Sequence, residues 1–294
     1  MIILHFTGQV YRHPMEASTQ LLEVTVGCSH NKCSFCTMYR QTPFSTSPLE
    51  HIEEDLKELK TYRNSIKRFF LVNGEPFVLA TKKLIDISKL IQKYYPEVEV
   101  ISCYASIKNL KNKSLEDLKL LKEYKYDQFH IGLETAYDPA LEVMNKGFNQ
   151  AEAYENLGKL IAAGLTYDAH VLLGVAGNEN GDTHIRQTAK LINKFKPYMV
   201  SVMPLGVSKG TELEVLRDNG DFIEATEMEK LEEEKLLLNL LEFEDAYFFG
   251  SHTYNLIPMS GPLTNKQHFI EHIDGRIKNL DDKVLHTSYE RPNI

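Results

Sequence analysis

Three of the four cysteines fall within nine residues, Cys28-Ser-His-Asn-Lys-Cys33-Ser-Phe-Cys36. Three thiolates on one loop hold a metal but leave one place of a four-ligand set unfilled by cysteine. Two chemistries meet that description. In one, a histidine such as His30 completes a structural zinc site. In the other, the thiolates bind three irons of a 4Fe-4S cluster and the fourth iron stays open to a substrate or cofactor. The place of the loop, directly after the first strand candidate, favours the second. Active sites gather at the carboxyl ends of barrel strands, whereas structural zinc staples small domains that lack a core.

The elements that must position this loop alternate short β-rich runs with longer amphipathic stretches, the pattern of βα units around a parallel sheet. Six strands are expected, at 21–27, 69–73, 98–106, 128–134, 166–174 and 199–205. Ser47, Pro48 and Glu50 predict a capped helix to about Tyr62, and Leu84 to Ile91 keep a helical period. Ser114 with Asp117 predicts another cap, 149–163 closes on Gly164, and a helix over 182–194 ends before Pro197. Beyond a loop at 206–220, Thr226 and Glu229 cap a highly charged helix to about Phe243. The expected fold is α/β, a partial (β/α)6 TIM-like barrel of parallel strands (1–205) with a C-terminal extension (206–294) that closes or lines it.

With these motifs in place the sequence resembles the radical SAM superfamily. The resemblance is carried by GCSHNKCSFC (27–36), LVNGEP (71–76), IGLETAYD (131–138), MNKG (144–147), VLLGVAG (171–177), and VMPL with GTEL (202–213). It is nearest to the branch of oxygen-independent coproporphyrinogen oxidase and the methylthiotransferases. One departure is visible: the common spacing is CxxxCxxC, and here four residues separate Cys28 from Cys33. The resemblance implies a 4Fe-4S cluster on Cys28, Cys33 and Cys36 that chelates S-adenosylmethionine (SAM). It also implies an electron donor of flavodoxin or ferredoxin type, and a 5′-deoxyadenosyl radical that abstracts hydrogen from substrate. Such a cluster would make the protein oxygen-sensitive.

Period-2 reading of the strands tests where a SAM site would lie. Glu134 shares a face with His130 and Gly132, and the resemblance assigns it to the ribose or amino group of SAM. Ser106 shares a face with Ser102 and Tyr104, near the methionyl carboxylate by the same analogy, while Cys103 points the other way and is a packing thiol. Asn73, Gly74 and Glu75 match the loop that receives the methionyl ammonium. Phe35 is the aromatic before the last cysteine, and Leu172 would support the adenine. Lys146 is a cofactor-site candidate that pairs with a carboxylate or is solvated. His170, which shares a face with Asp168, and His252 are the candidates for contact with substrate.

The rest of the chain narrows the reaction. With 33 basic and 41 acidic residues the net charge is −8, which disfavours nucleic acid as the partner. The expected substrate is a small molecule. One cysteine beyond the triad cannot build a second cluster, and this disfavours sulfur insertion of the methylthiotransferase kind. Asp168-Ala-His170 begins like the cobalamin motif DxHxxG, but its glycine comes one residue late. No apolar run approaches the ~20 residues of a membrane span and no targeting signal opens the chain, so a cytoplasmic setting is expected. The segment Gly250 to Pro262 resembles SNHxSNYLP-like segments of a radical SAM subgroup, where Ser251, His252 and Asn255 would close the active site or form a structural turn. Two other functions remain open at this level: a radical SAM enzyme acting on RNA or protein, and a metal- or cluster-carrying protein without SAM cleavage.

Overall fold

The computed structural model describes residues 4–288. From the amino terminus come β1 (Gln20–Glu23), β2 (Thr25–Val26), β3 (Ser45–Thr46), α1 (Leu49–Tyr62), β4 (Arg68–Val72), α2 (Thr81–Tyr94), β5 (Val100–Ala105), α3 (Ile107–Lys111), α4 (Leu115–Glu123) and β6 (Phe129–Glu134). There follow α5 (Asp138–Val143), α6 (Gln150–Ala162), β7 (Tyr167–Leu173), α7 (Gly181–Phe195), β8 (Met199–Pro204), α8 (Glu212–Asp218), α9 (Glu227–Leu240), β9 (Tyr247–Gly250), β10 (Met259–Pro262), α10 (Lys266–Ile277) and α11 (Asp282–Leu285).

An eight-stranded sheet runs in the order β1-β4-β5-β6-β7-β8-β9-β10. The pairs β1–β4, β4–β5, β5–β6, β7–β8 and β8–β9 are parallel, and β10 returns antiparallel to β9. This is the α/β architecture of a partial TIM-like barrel, and all six expected strands are present. The first expected strand is broken at Val24 into β1 and β2, and β2 turns aside to pair with β3. The extension continues the sheet: Met199 of β8 stands beside Tyr247 of β9.

Two compact units divide the described residues, one of 4–31, 39–131 and 155–167, the other of 32–38, 132–154 and 168–288. In the first, β4 is buried from Phe69 to Val72, and the Phe77 ring packs tilted against Phe129 with ring centres 4.3 Å apart. In the second, α7 buries Ile185, Ala189 and Ile192, the i, i+4, i+7 stripe of an amphipathic helix.

The caps at Ser114 and Thr226 form as expected, each with its reciprocal acid. Gly164 takes φ +74° after α6. Ser47 is not a cap. Its N–H is taken by the carbonyl of Val24, α1 begins at Leu49, and Pro48 stands at the cap position with no side-chain bond. The charged helix, α9, ends at Leu240, short of Phe243.

Candidate metal and cofactor site

In the first unit the turn after β4 clamps the start of the cysteine loop. Glu75 Oε1 accepts hydrogen bonds from Ser29 Oγ (2.5 Å), the His30 N–H (3.1 Å) and Cys28 Sγ (3.6 Å). Asn31 takes φ +41°, directs its N–H to Cys28 Sγ at 3.4 Å and gives its side-chain amide to the Tyr39 carbonyl. His30 Nδ1 lies 2.9 Å from Lys108 Nζ. The longer spacer between Cys28 and Cys33 is therefore ordered at its start, bridged to Glu75, Tyr39 and Lys108.

The turn itself is fixed from both sides. Asn73 donates its amide to Glu23, and its carbonyl accepts the Thr25 hydroxyl. The Gly74 N–H reaches the Tyr39 hydroxyl at 2.9 Å. Gly74 has φ +63°, and a Cβ there would stand 1.7 Å from the Gly27 carbonyl oxygen. Two loops thus meet backbone to backbone, which only glycine permits.

In the second unit the end of the cysteine loop is tied by Ser34. Its N–H bonds the Met144 carbonyl, its hydroxyl the Val143 carbonyl, and its own carbonyl accepts the Leu213 N–H. Beside it Lys146 pairs with Glu134 at 2.8 Å and stands 5.9 Å above the Phe35 ring. Burial works against the Lys146 ammonium. The charges of Glu134, Cys33 and Cys36 outweigh it and hold the group above the ordinary lysine range. Phe35 and Leu172 enter one apolar cluster with Met144, Val175, Leu205 and Phe222.

The other expected residues hold distinct places. Ser106 caps α3 and accepts the Asn109 N–H. Cys103 is fully buried, and burial pushes its thiol well up, as befits packing. In the second unit His170 Nε2 lies 2.9 Å from Asp168, whose carboxylate also takes the Ser201 hydroxyl. His252 is held below the usual histidine range by burial and then by His170.

Two buried networks were not singled out in the sequence. In the first unit Glu16 pairs with Arg68 and, at 3.0 Å, with His130, whose ring lies 4.8 Å from His13. Burial would raise the Glu16 carboxyl, but these donors outweigh it and hold it far below the carboxylate range. In the second, Glu233 Oε2 accepts the Gly174 N–H and His184 Nε2, while His184 Nδ1 meets the Thr135 hydroxyl. Partners 49 to 114 residues apart leave no local pattern.

The family model described as Radical SAM superfamily matches residues 22–192. The chain belongs to this superfamily. The family generally uses a 4Fe-4S cluster with SAM. Among curated proteins, the Uncharacterized protein MJ0486 of Methanocaldococcus jannaschii is 25% identical over 217 residues, 68% of this chain and 65% of that protein. The matched region thus spans just under two thirds of that relative. Among solved structures, methylornithine synthase (PylB) aligns over 87% of this chain and 68% of its own at 17% identity, TM-score 0.55. Elp3 of Methanocaldococcus infernus aligns over 92% and 64% at 13% identity, TM-score 0.56. These two likenesses bear on the fold.

The donor set fits the cofactor of the radical SAM superfamily. Cys28, Cys33 and Cys36 are half-buried and none is in a disulfide. An N–H faces the sulfur of Cys28, and Lys146 is close enough to Cys33 and Cys36 to interact with their charge. Such groups stabilise thiolates, the form that binds iron. Among the described residues no helix is long and apolar enough to cross a membrane.

Proposed function

We propose that this chain is a radical SAM enzyme acting on a small molecule, with a 4Fe-4S cluster on Cys28, Cys33 and Cys36 reduced by a flavodoxin- or ferredoxin-type donor. The observation that carries the reading is the three-cysteine loop, tied by Glu75 at one end and by Ser34 at the other. When bound, the cluster supplies the electron that cleaves SAM to a 5′-deoxyadenosyl radical, and the cofactor carries the hard chemistry.

The protein's part is to bind, orient and shield. Glu75 holds the loop so that Cys28 is presented, and Lys146 with Glu134 keeps a balanced charge pair beside Phe35. Phe35 and Leu172 offer an apolar wall for the adenine, and the backbone of the Asn73–Glu75 turn offers a seat for the methionyl ammonium. Ser106 keeps its hydroxyl proton for a carboxylate, since its cap bond uses only the oxygen as acceptor. The net charge of −8 favours a small molecule over RNA.

Anaerobic reconstitution with iron and sulfide, followed by dithionite and SAM, tests the reading through 5′-deoxyadenosine. Brown protein with about four irons per chain and product formation supports it, and Cys33→Ala should lose both. Colourless protein with one bound zinc overturns it.

A further inference from the structure

The segment after β9 lies beyond the family match at 22–192, and it holds a side chain that burial leaves unexplained. Asn255 is 8% exposed, and neither Oδ1 nor Nδ2 of its amide hydrogen-bonds to any described residue. A buried amide without partners costs about 1–3 kcal/mol, so a bound water or a ligand has to meet it.

Placement follows from strand register within the second unit. His170, Ser201 and Phe249 stand abreast on β7, β8 and β9. The chain leaves β9 at Gly250 and returns with Met259 opposite it. Residues 251–258 are thereby held at the carboxyl end of β9, beyond the row that contains His170. His252 lies close enough to His170 for that imidazole to depress its basicity.

The segment is internally set. His252 Nδ1 accepts the Tyr254 N–H at 3.2 Å, its carbonyl accepts the Asn255 N–H at 2.9 Å, and the Tyr254 ring meets the imidazole edge-on at 4.8 Å. With Nδ1 an acceptor, the neutral ring carries its proton on Nε2 and presents a donor there. His170 is oriented in turn by Asp168, which Ser201 holds.

We propose that Asn255 and His252, beside His170, form a substrate subsite that binds a carboxamide or lactam group. Asn255 offers one donor and one acceptor side by side, and an amide edge answers both. A carboxylate has no hydrogen for Oδ1, and an ammonium has no acceptor for Nδ2. The His252 Nε2–H supplies a second donor for the ligand carbonyl. The subsite rests on the small-molecule reading above and names the chemical class of its substrate.

The test uses the cluster-reconstituted full chain without reductant, with 2-pyrrolidinone as probe and γ-butyrolactone as its control, read by saturation-transfer NMR. The lactone keeps the ring and carbonyl but lacks the N–H. Loss of that bond, with Oδ1 left unmet, should weaken binding roughly tenfold. Asn255→Leu and Asn255→Asp should both abolish the preference; Asn255→Leu removes the unpaired buried amide and should hold or raise the melting temperature, and Asn255→Asp keeps size and polarity if the first misfolds. Equal binding of the two probes, or a preference that survives both substitutions, overturns the subsite. SAM cleavage on the same preparation separates the two readings. Cleavage without lactam preference removes the subsite alone, and lactam preference without cleavage removes the reaction while the subsite stands.

Discussion

Lys146 and Glu134 form an ion pair at 2.8 Å with side chains only 10% and 11% exposed. Glu134 closes β6 with φ +62°, and Lys146 follows the short helix α5, so the pair fastens strand end to helix end. A buried pair is strongly coupled: removing one partner strands a charge at a cost of about 3–5 kcal/mol, whereas replacing both by apolar groups is often neutral. Lys146→Met should therefore destabilise sharply, and the double variant Lys146→Met/Glu134→Leu should recover most of the loss. Denaturant midpoints of the two single variants and the double close the cycle. Additive losses would show that the pair is not coupled.

Glu75 carries a different load, since a single carboxylate oxygen gathers Ser29, His30 and Cys28. Loading the site deprotonates Cys28, which ends the S–H bond but leaves the Ser29 and His30 bonds in place. Glu75→Gln keeps an acceptor oxygen and Glu75→Ala removes it. Iron bound per chain after reconstitution should therefore fall steeply in Glu75→Ala and only modestly in Glu75→Gln. Equal iron content in the alanine variant and the parent would show that the loop holds its shape without Glu75.

The contact of Gly74 with Gly27 leaves no room for adjustment. An added Cβ meets backbone oxygen at 1.7 Å and a φ of +63°, so one of the two loops must move. Gly74→Ala should yield chain that either fails to accumulate as soluble protein or retains little iron. Gly164, also at positive φ but with nothing within 4 Å of its Cβ position, is the control. Gly164→Ala should lose only about 1–2 kcal/mol of stability from the left-handed backbone, with cluster loading intact. Normal loading of Gly74→Ala would refute the close approach.

Much of this arrangement was legible in the sequence because period and spacing are local. Alternation along 128–134 placed Glu134, the Ser114–Asp117 pair marked its helix, and the cysteine spacing located the loop. What was hidden depends on partners far apart in the chain. Arg68 lies just before the strand expected at 69–73, and nothing local marks it until the fold sets it against Glu16. Helix α9 looks solvated by composition, yet Glu227, Lys230, Glu233 and Glu234 are buried; Glu227 pairs with Lys230 on the same helix, and Glu233 meets His184 of α7. Strand β9 is four residues long, too short to show a period, and its pairing with β8 is tertiary.

Glu234 converts that hidden burial into a dependence on pH. Its side chain reaches beneath Gly250, with Oε1 2.9 Å from where a Cβ on that glycine would stand. Burial alone, with no charged neighbour contributing, raises its carboxyl from 4.5 to about 8. An acid whose pKa is raised on folding binds its proton more tightly in the native chain. Below 4.5 both states are protonated, and between 4.5 and about 8 only the unfolded chain has lost the proton. Stability from this group is then full at acid pH, falls by about 1.4 kcal/mol per pH unit through the window, and levels off above it. Glu234→Gln keeps the shape and removes the titration. The stability gap between Glu234→Gln and the parent should widen steadily in favour of the variant from about pH 5 to about pH 8, then stay constant. Urea denaturation across that range measures it. Parallel curves would mean that the carboxyl is ionised in the native protein with a partner that offsets its burial.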